Sequence, residues 1–351
     1  MSSSNASVRA RSELEYPFAT RPEPGEAVEI AAGVLWVRMR LPFQLNHINL
    51  WLLEDGDGWT VVDCGLRDEA TTDAWMMLFN GPMRGRPVRR VIVTHLHPDH
   101  VGLAGWLARR FAAEFWMSRT DYLLCRILVG DTNKEAPDEG VRFYRAAGIP
   151  DDILENYRTR FGEFGHGVYH LPNAFRRIQN GEKIKIGERV WEVVVGRGHA
   201  PEHMCLWCRN DNLFISGDQI LPRISSNVSV FPTEPEANPL QEWIESCVQL
   251  ENLLLQDVLV LPAHNEPFRR APLRLRELVE MHEASMEKLI ALCAEPKRAV
   301  DCFPALFRSR ITSGNFLMAT GESLAHLNCL RARDAIVRLT DSDGIDWYQA
   351  R

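Results

Sequence analysis

Four side chains that can bind a metal ion fall within six residues of this chain, directly after a short apolar run. The segment reads Thr94-His95-Leu96-His97-Pro98-Asp99-His100, and it follows Val91-Ile92-Val93. A run of this kind predicts a buried strand, and side chains two residues apart at its end point to the same side. Imidazole and carboxylate groups are ligands for Zn²⁺ and related ions. We therefore predict a buried strand that ends in a metal-binding loop, with Asp99 and His100 in the loop.

Further metal-capable residues follow other predicted strands. Taken singly, each of them has a simple interpretation as a core or turn residue, just as residues 94–100 alone are compatible with a histidine-rich surface loop. Strand ends, however, gather at one edge of an α/β sheet, which is where such sheets bind ligands. The pattern therefore predicts that these residues share one site with residues 95–100. They are Asp63 after Val61-Val62, His199 after 193–198, Asp218 after 214–217 and His264 after 259–263.

The order of predicted elements indicates an α/β (α+β) fold. Strand-like runs at 34–39, 48–53 and 59–62 with turn residues between them are typical of consecutive antiparallel hairpins, and helical and strand patterns then alternate. A chain of 351 residues is expected to form about two domains. The predicted division is a flexible N-terminal segment at 1–27, a main domain at 28–268 with a helical insertion at 119–165, and a small winged-helix-like domain at 271–351.

Charge and composition disfavour several classes of protein. The net charge of −7 gives no general attraction to nucleic acid or anionic lipid, and residues 271–351 hold 11 basic and 11 acidic side chains. No apolar stretch approaches the ~18 residues of a membrane-spanning helix. The eight cysteines are scattered in a chain that is large enough to fold without disulfides, which favours free thiols and a cytoplasmic location. Residues 1–12 lack the apolar core of a secretion signal, so we expect a frayed tail, with a transit peptide as the alternative.

These residues resemble the motifs of the metallo-β-lactamase superfamily. The His-x-His-x-Asp-His run at 95–100, together with Asp63, His199, Asp218 and His264, matches all five of the family's motifs in order, over about residues 28–268. With its tail, the chain resembles the lactamase-beta or glyoxalase II-like branch. The resemblance implies a four-layer αβ/βα sandwich with metal ions at one edge, here with a helical insertion and a small C-terminal winged-helix-like domain.

The resemblance also implies roles for individual residues. His95, His97 and His199 match the ligands of a first metal, and Asp99, His100 and His264 match those of a second. Asp218 matches the carboxylate that bridges both, and Asp63 matches a residue that orients a ligand histidine. As catalytic residues we expect Asp99, which handles a proton or orients the nucleophile, and Asp63. The cofactor is expected to be two divalent ions, with Zn²⁺ as the first choice and Fe or Mn as alternatives.

The expected function is metal-dependent hydrolysis of a small acyl substrate (a thioester, ester or lactone) by a two-metal-activated hydroxide. One alternative is an endoribonuclease-like RNA hydrolase, against which the neutral tail and the short distance of 46 positions from Asp218 to His264 both argue. Another is a vestigial metal domain that acts as an interaction or dimerisation module. We expect no membrane partner, and homodimerisation stays an open expectation.

Other residues have two interpretations each. His203, in the segment His199-Ala200-Pro201-Glu202-His203, is expected to be a structural histidine, and His47 either lines the cleft or is unrelated to it. Cys205 and Cys208 have zinc-knuckle spacing, but in a strand they face opposite sides, which favours a structural role. The aromatic-rich insertion either packs its own small core or caps the metal edge with an apolar wall. Four of its arginines either bind an anionic carrier such as coenzyme A or form a solvated face: Arg142, Arg145, Arg158 and Arg160.

Overall fold

The first of two large sheets contains seven strands in chain order. The computed structural model describes residues 14–43 and 45–351. The first four strands are antiparallel neighbours, which confirms the predicted hairpins, and the later ones are parallel. The strands are β1 (Val28–Ala31), β2 (Val34–Arg40), β3 (His47–Asp55), β4 (Gly58–Val62), β5 (Val88–Ile92), β6 (Glu114–Met117) and β7 (Arg176–Arg177).

The second sheet contains five strands, in the order β12-β11-β10-β9-β8. All neighbours are antiparallel except β11 and β12, which are parallel. Parallel neighbours need a crossover connection, and the helix α7 (Pro239–Leu253) provides it. The strands are β8 (Lys183–Ile186), β9 (Arg189–Gly196), β10 (His203–Cys208), β11 (Leu213–Gly217) and β12 (Leu259–Pro262).

Helices cover the outer face of each sheet, and a hairpin of β13 (Ile336–Thr340) and β14 (Asp346–Ala350) ends the chain. No helix among the described residues is long and apolar enough to cross a bilayer. The helices before α7 are α1 (Glu69–Asn80), α2 (Pro98–Val101), α3 (Ala104–Phe111), α4 (Arg119–Gly130), α5 (Asp138–Ala146) and α6 (Asp151–Arg160), and those after it are α8 (Ala271–Leu292), α9 (Phe303–Leu306) and α10 (Phe316–Ala332). Two 3-10 helices lie at Glu163–Gly167 and Ala299–Cys302.

Alternation along the strands produces the layers. Trp36 of β2 points into the apolar cluster between the two sheets, where Trp51 and Trp191 also lie, whereas its neighbour Val37 points into the cluster under α1, α3 and α4. A third cluster joins the outer face of the second sheet to α7, α8 and α10. The order helix, sheet, sheet, helix confirms the predicted four-layer sandwich.

The C-terminal region is continuous with the sandwich core. One cluster of buried side chains contains Trp243 of α7 as well as Leu275 of α8, Leu327 of α10 and Tyr348 of β14. The predicted boundary between 268 and 271 therefore coincides with the start of α8 but not with a break in packing. The order of helices followed by a hairpin is the one that the sequence pattern predicts.

The N-terminal segment is attached to the fold over its described part. Glu15 forms a β-bridge with Arg269 and an ion pair of 2.7 Å with Arg270. Phe18 packs edge-on against Trp36, with ring centroids 6.5 Å apart. An aromatic and an ionic contact thus attach the described part of this segment to the fold. Residues 1–13 of the segment predicted to be flexible lie outside the described part of the chain.

Candidate metal centre

The histidine-rich segment leaves β5 at the edge of the first sheet. His95 is fully buried, and Pro98 begins the short helix α2, so that Asp99 and His100 lie in a helical turn rather than in the predicted loop. Proline suits this first helical position because its fixed φ matches the helix and its missing N–H is not needed there. The helical turn places Asp99 and His100 beside His95 within one compact segment.

A first group of donor atoms comes from three histidines and one aspartate. His95 Nε2 lies 2.9 Å from His97 Nδ1 and 3.2 Å from His199 Nε2, and the latter is 3.3 Å from Asp218 Oδ2. Donor atoms in a tetrahedron around a zinc ion are separated by about 3.3 Å when the Zn–N bonds are 2.0–2.1 Å long. The four side chains therefore have the spacing of a ligand set.

A second group lies against the first and shares its aspartate. His264 Nε2 is 3.5 Å from Asp99 Oδ2 and 3.3 Å from Asp218 Oδ1, while His100 Nε2 is 3.8 Å from Asp99 Oδ2 and 3.5 Å from Asp218 Oδ2. Asp218 thus presents one carboxylate to both groups. The structure brings together all seven residues that the sequence predicts as ligands, in two adjacent groups that both contact Asp218.

Two buried polar atoms at the centre have no hydrogen-bond partner among the described residues, His100 Nε2 and Asp218 Oδ1. A buried polar atom without a partner is costly, and a divalent cation bound by these side chains would supply the missing partner. The donor set, five imidazoles and two carboxylates, is the kind that binds divalent transition metals. The residues present therefore fit a metal centre.

The protonation of the groups agrees with this interpretation. Burial lowers the pKa of His95 and His97 well below the usual range, which leaves these imidazoles neutral. Burial also acts on His100 and His264, but neighbouring carboxylates outweigh it and raise the pKa of both. The pKa of Asp218 is lowered well below its usual value, because nearby histidines outweigh burial. Without a cation, protons occupy part of the site, so cation binding is expected to release them.

The second ring nitrogen of four of the histidines is already bound. Such a contact fixes the tautomer and directs the other nitrogen to the metal. The contacts are His95 Nδ1 with Thr94 Oγ1 (3.0 Å), His100 Nδ1 with Asp63 Oδ2 (2.8 Å), His199 Nδ1 with the carbonyl oxygen of Asn227 (2.7 Å) and His264 Nδ1 with that of His47 (2.7 Å).

Asp63 lies behind the ligands, at the end of β4. Its Oδ1 accepts from the backbone N–H of Thr94 (2.8 Å), and its Oδ2 contacts His100. Its φ of 63° is in the left-handed region, which aspartate tolerates better than most residues. Asp63 does not belong to either donor group. Its position behind His100 fits the role that the family resemblance implies, which is to orient a ligand histidine.

Asp121, at the start of α4, is a supporting residue that sequence reasoning missed. Its carboxylate accepts from the backbone N–H of Leu96 (3.1 Å), between two ligands, and from that of Glu202 (2.8 Å), just after His199. Burial raises its pKa to about 6. Asp121 follows β6, a parallel strand that ends at the same sheet edge as β5, so its position after a strand end was an available signal.

His203 and the cysteine pair have structural positions. His203 Nε2 accepts from the backbone N–H of Asp218 (3.0 Å), and its ring stacks on that of His95 with centroids 4.7 Å apart. This contact matches the supporting role expected for His203. Cys205 and Cys208 are both free and buried, and they belong to apolar clusters on opposite faces of the second sheet, as the strand spacing predicts.

The insertion meets the metal centre at its two ends. Asp121 lies at its start, and two residues past its other end a Cβ on Gly167 would lie 3.1 Å from Pro98. Between them, α5 and α6 form a small core of their own that also contacts Phe316 and Leu317 of α10. Three of its arginines pair with glutamates three residues away, which favours the solvated-face interpretation; the pairs are Arg142–Glu139, Arg158–Glu155 and Arg160–Glu163.

We expect Gly198→Ala to displace His199 and to weaken the first donor group. Gly198 has φ of +96°, and a Cβ there would lie 2.4 Å from the carbonyl oxygen of Pro239 and 2.5 Å from Trp243 Cβ. Overpacking of this kind costs about 1–3 kcal/mol of unfolding free energy. Thermal unfolding and metal titration measure the two effects. Gly344→Ala is the matched control, since Gly344 has φ of +78° but open space around it; equal effects of the two variants would contradict the steric argument.

Comparisons with known proteins agree with this geometry. A sequence model described as "Metallo-beta-lactamase superfamily" matches residues 44–264, which include all seven candidate ligands, and one described as "Metallo-beta-lactamase-like, C-terminal domain" matches 286–351. A solved beta-lactamase domain protein from Burkholderia ambifaria is 40% identical, with a TM-score of 0.88 over 96% of this chain and 98% of that one.

Two curated relatives are more distant. The probable metallo-hydrolase YqjP of Bacillus subtilis is 22% identical over 316 residues, which cover 86% of this chain and 93% of the relative. The acyl-coenzyme A thioesterase MBLAC2 of Gallus gallus is 24% identical over 263 residues, which cover 73% of this chain and 83% of the relative. The chain is therefore similar to these proteins over most of their length.

Proposed function

The chain belongs to the metallo-beta-lactamase superfamily, and we propose that it is a metal-dependent hydrolase that cleaves a small acyl substrate: a thioester, an ester or a lactone. The observation that carries the proposal is the pair of donor groups joined by Asp218, with buried and unpartnered atoms at its centre. Two divalent ions bound there would lower the pKa of a shared water toward neutrality and polarise the substrate carbonyl.

The seven candidate ligands divide between the two ions. His95, His97 and His199 would hold one ion, and Asp99, His100 and His264 the other, with Asp218 between them. Zn²⁺ is our first candidate, and the same nitrogen and oxygen donors also suit Fe or Mn. Because the second nitrogen of most of these histidines is bound by a fixed partner, the ligands need little reorganisation when a cation binds.

Asp99 is the candidate for proton transfer. Its side chain is 21% exposed, against 10% for Asp218 and 2% for His264, so it is the carboxylate nearer to solvent. We propose that its carboxylate orients the attacking water or carries a proton to the leaving group, a role that suits a carboxylate at the rim of the site. Asp63 is not in contact with the water in this proposal; it orients the ligand His100 through the contact with His100 Nδ1.

The acyl class of the substrate is supported by the similarity to the curated acyl-coenzyme A thioesterase MBLAC2. A fold hosts many substrates, so the site must decide between them. The eight cysteines are all free and buried, which supports a reducing, cytoplasmic location as part of the proposal.

A substrate panel tests the proposal directly. Acyl-CoA thioesters, lactones, β-lactams and single-stranded RNA are each incubated with the metal-loaded protein, with and without chelator, and its metal content is measured. We expect hydrolysis of an acyl substrate that chelator abolishes. His95→Ala should be inactive, whereas His170→Ala, at an exposed histidine outside both donor groups, should retain activity. Chelator-sensitive cleavage of RNA alone, or no turnover by protein that holds two metals, would contradict the proposal.

A further inference from the structure

The segment Ser225–Val230, which follows β11, touches two of the candidate ligands. The carbonyl oxygen of Asn227 accepts a hydrogen bond of 2.7 Å from His199 Nδ1. The hydroxyl of Ser226 donates to the backbone oxygen of Asp218. The position of this segment therefore determines how His199 and Asp218 are held.

The C-terminal helix α10 holds the same segment from its other side. The Val230 backbone N–H donates to the carbonyl oxygen of Gly321 (3.0 Å), and Asn227 Nδ2 donates to Glu322 Oε2 (2.9 Å). The approach is close because residue 321 is glycine: a Cβ there would lie 2.9 Å from Ser229 Cβ and 3.0 Å from the Val230 oxygen. The helix and the segment are thus matched in shape as well as in hydrogen bonds.

Two buried histidines add a second attachment to the segment. Ser225 Oγ lies 3.2 Å from His282 Nε2 of α8, and His282 Nδ1 lies 3.2 Å from His326 Nε2 of α10. His326 Nδ1 in turn contacts the carbonyl oxygen of Glu322 (2.8 Å). Burial lowers the pKa of His282 to about 3 and that of His326 to about 4, so both rings are neutral. A neutral imidazole offers one donor and one acceptor, which is what each histidine needs in this series of hydrogen bonds.

Glu322 is the unusual member of this network. Over the described ranges, no arginine, lysine or histidine forms an ion pair with its carboxyl group, whose only side-chain hydrogen bond comes from Asn227. Burial raises its pKa to about 7. A carboxyl group that is partly shielded from solvent and has no cationic partner among the described residues is costly. The contact that it makes leads to Asn227, whose backbone oxygen holds a candidate metal ligand.

We propose that Glu322 is a positioning residue of the metal centre: by holding Asn227, it fixes the position and tautomer of His199, so that the C-terminal region forms part of the hydrolytic apparatus. This inference rests on the proposed metal centre, not on the substrate class. Loss of a group that contacts a metal ligand directly typically weakens metal binding 10- to 100-fold. Glu322 acts one contact further out, through Asn227, so we expect an effect at the lower end of that range, about 10-fold.

The test is a titration of the metal-free, full-length protein with Co²⁺. The visible absorption of the bound Co²⁺ monitors the titration and reports the geometry of the ion without any substrate. For Glu322→Ala we expect affinity at the first donor group to fall about 10-fold with an altered spectrum, and kcat to fall more than KM rises. Glu322→Gln keeps an oxygen that accepts from Asn227 and should restore most of the affinity. Ser323→Ala is the matched control, since Ser323 is fully buried on the same helix and its hydroxyl has no partner among the described residues.

The pathway through Asn227 has its own test, which also serves if Glu322→Ala does not fold. Asn227→Ala should weaken Co²⁺ binding as Glu322→Ala does, and the double variant should be no weaker than either, because both remove one contact. Additive losses, or wild-type Co²⁺ affinity in a folded Glu322→Ala or Asn227→Ala variant, would overturn the inference even if thermal stability falls. Failure of the wild-type protein to bind Co²⁺ would instead overturn the metal centre itself.

Discussion

Asp218→Ala is expected to deprive both donor groups of metal and to abolish hydrolysis. The carboxylate faces His199 Nε2 at 3.3 Å with one oxygen and His264 Nε2 at 3.3 Å with the other. Removing it leaves two sets of imidazoles without the anion that joins them and offsets the cationic charge. We expect a loss of at least about a thousandfold in kcat/KM, since both the nucleophile and the carbonyl polarisation depend on the bound ions. Metal analysis of the purified variant and its turnover of the best panel substrate measure the result.

Two further variants separate charge from shape at this position. Asp218→Asn keeps the size of the side chain but not its charge, and we expect it to retain part of the metal and little activity. Asp73→Ala, at an exposed aspartate of α1, should match the wild type in both measurements. Full activity of an Asp218→Ala protein that contains no metal would show that hydrolysis proceeds without the metal centre, and would contradict the proposed function.

Much of the site was predictable because it follows from local rules. His95 and His97 leave a strand on one side because of the two-residue period, and strand ends bring His199, Asp218 and His264 to the same edge. The alternation of apolar residues in β2 likewise predicts which side chains lie between the sheets. These inferences need only the identity of each element and the direction of its side chains.

The supporting residues were less predictable, because their roles depend on contacts between distant parts of the chain. Glu322 reaches Asn227 across 95 positions, and the His199 tautomer depends on a backbone oxygen that no side-chain pattern encodes. The close packing of α10 on the segment after β11 depends on the absence of a side chain at Gly321. For the same reason, the pattern of elements predicts a separate C-terminal domain, whereas the structure shows one cluster of buried side chains that runs into it.

Asp63→Asn is expected to weaken metal binding at the second donor group by about 10- to 100-fold while leaving the fold intact. The Asp63 carboxylate is 2.8 Å from His100 Nδ1 and lies among the carboxylates that raise the pKa of His100. An amide oxygen still accepts a hydrogen bond, and asparagine tolerates the φ of 63°, but the negative charge behind the imidazole is lost. Titration of the metal-free variant should show one site near wild-type affinity and one that is weaker.

Asp63→Ala should be more severe, and the difference between the two variants separates orientation from backbone strain. Alanine leaves His100 Nδ1 and the backbone N–H of Thr94 without their partner. It also lacks the short polar side chain with which aspartate offsets part of the cost, about 1–2 kcal/mol, of a left-handed backbone. Asp334→Ala is the control for strain, because Asp334 has φ of 57° and a side chain that is 78% exposed. Its ion pair of 3.2 Å with Arg351 is exposed and contributes little to stability. If Asp63→Ala loses stability as Asp334→Ala does but binds two metals normally, then Asp63 serves the backbone turn and not the ligand. If the second site weakens in both Asp63 variants, the carboxylate acts through His100, as the geometry predicts.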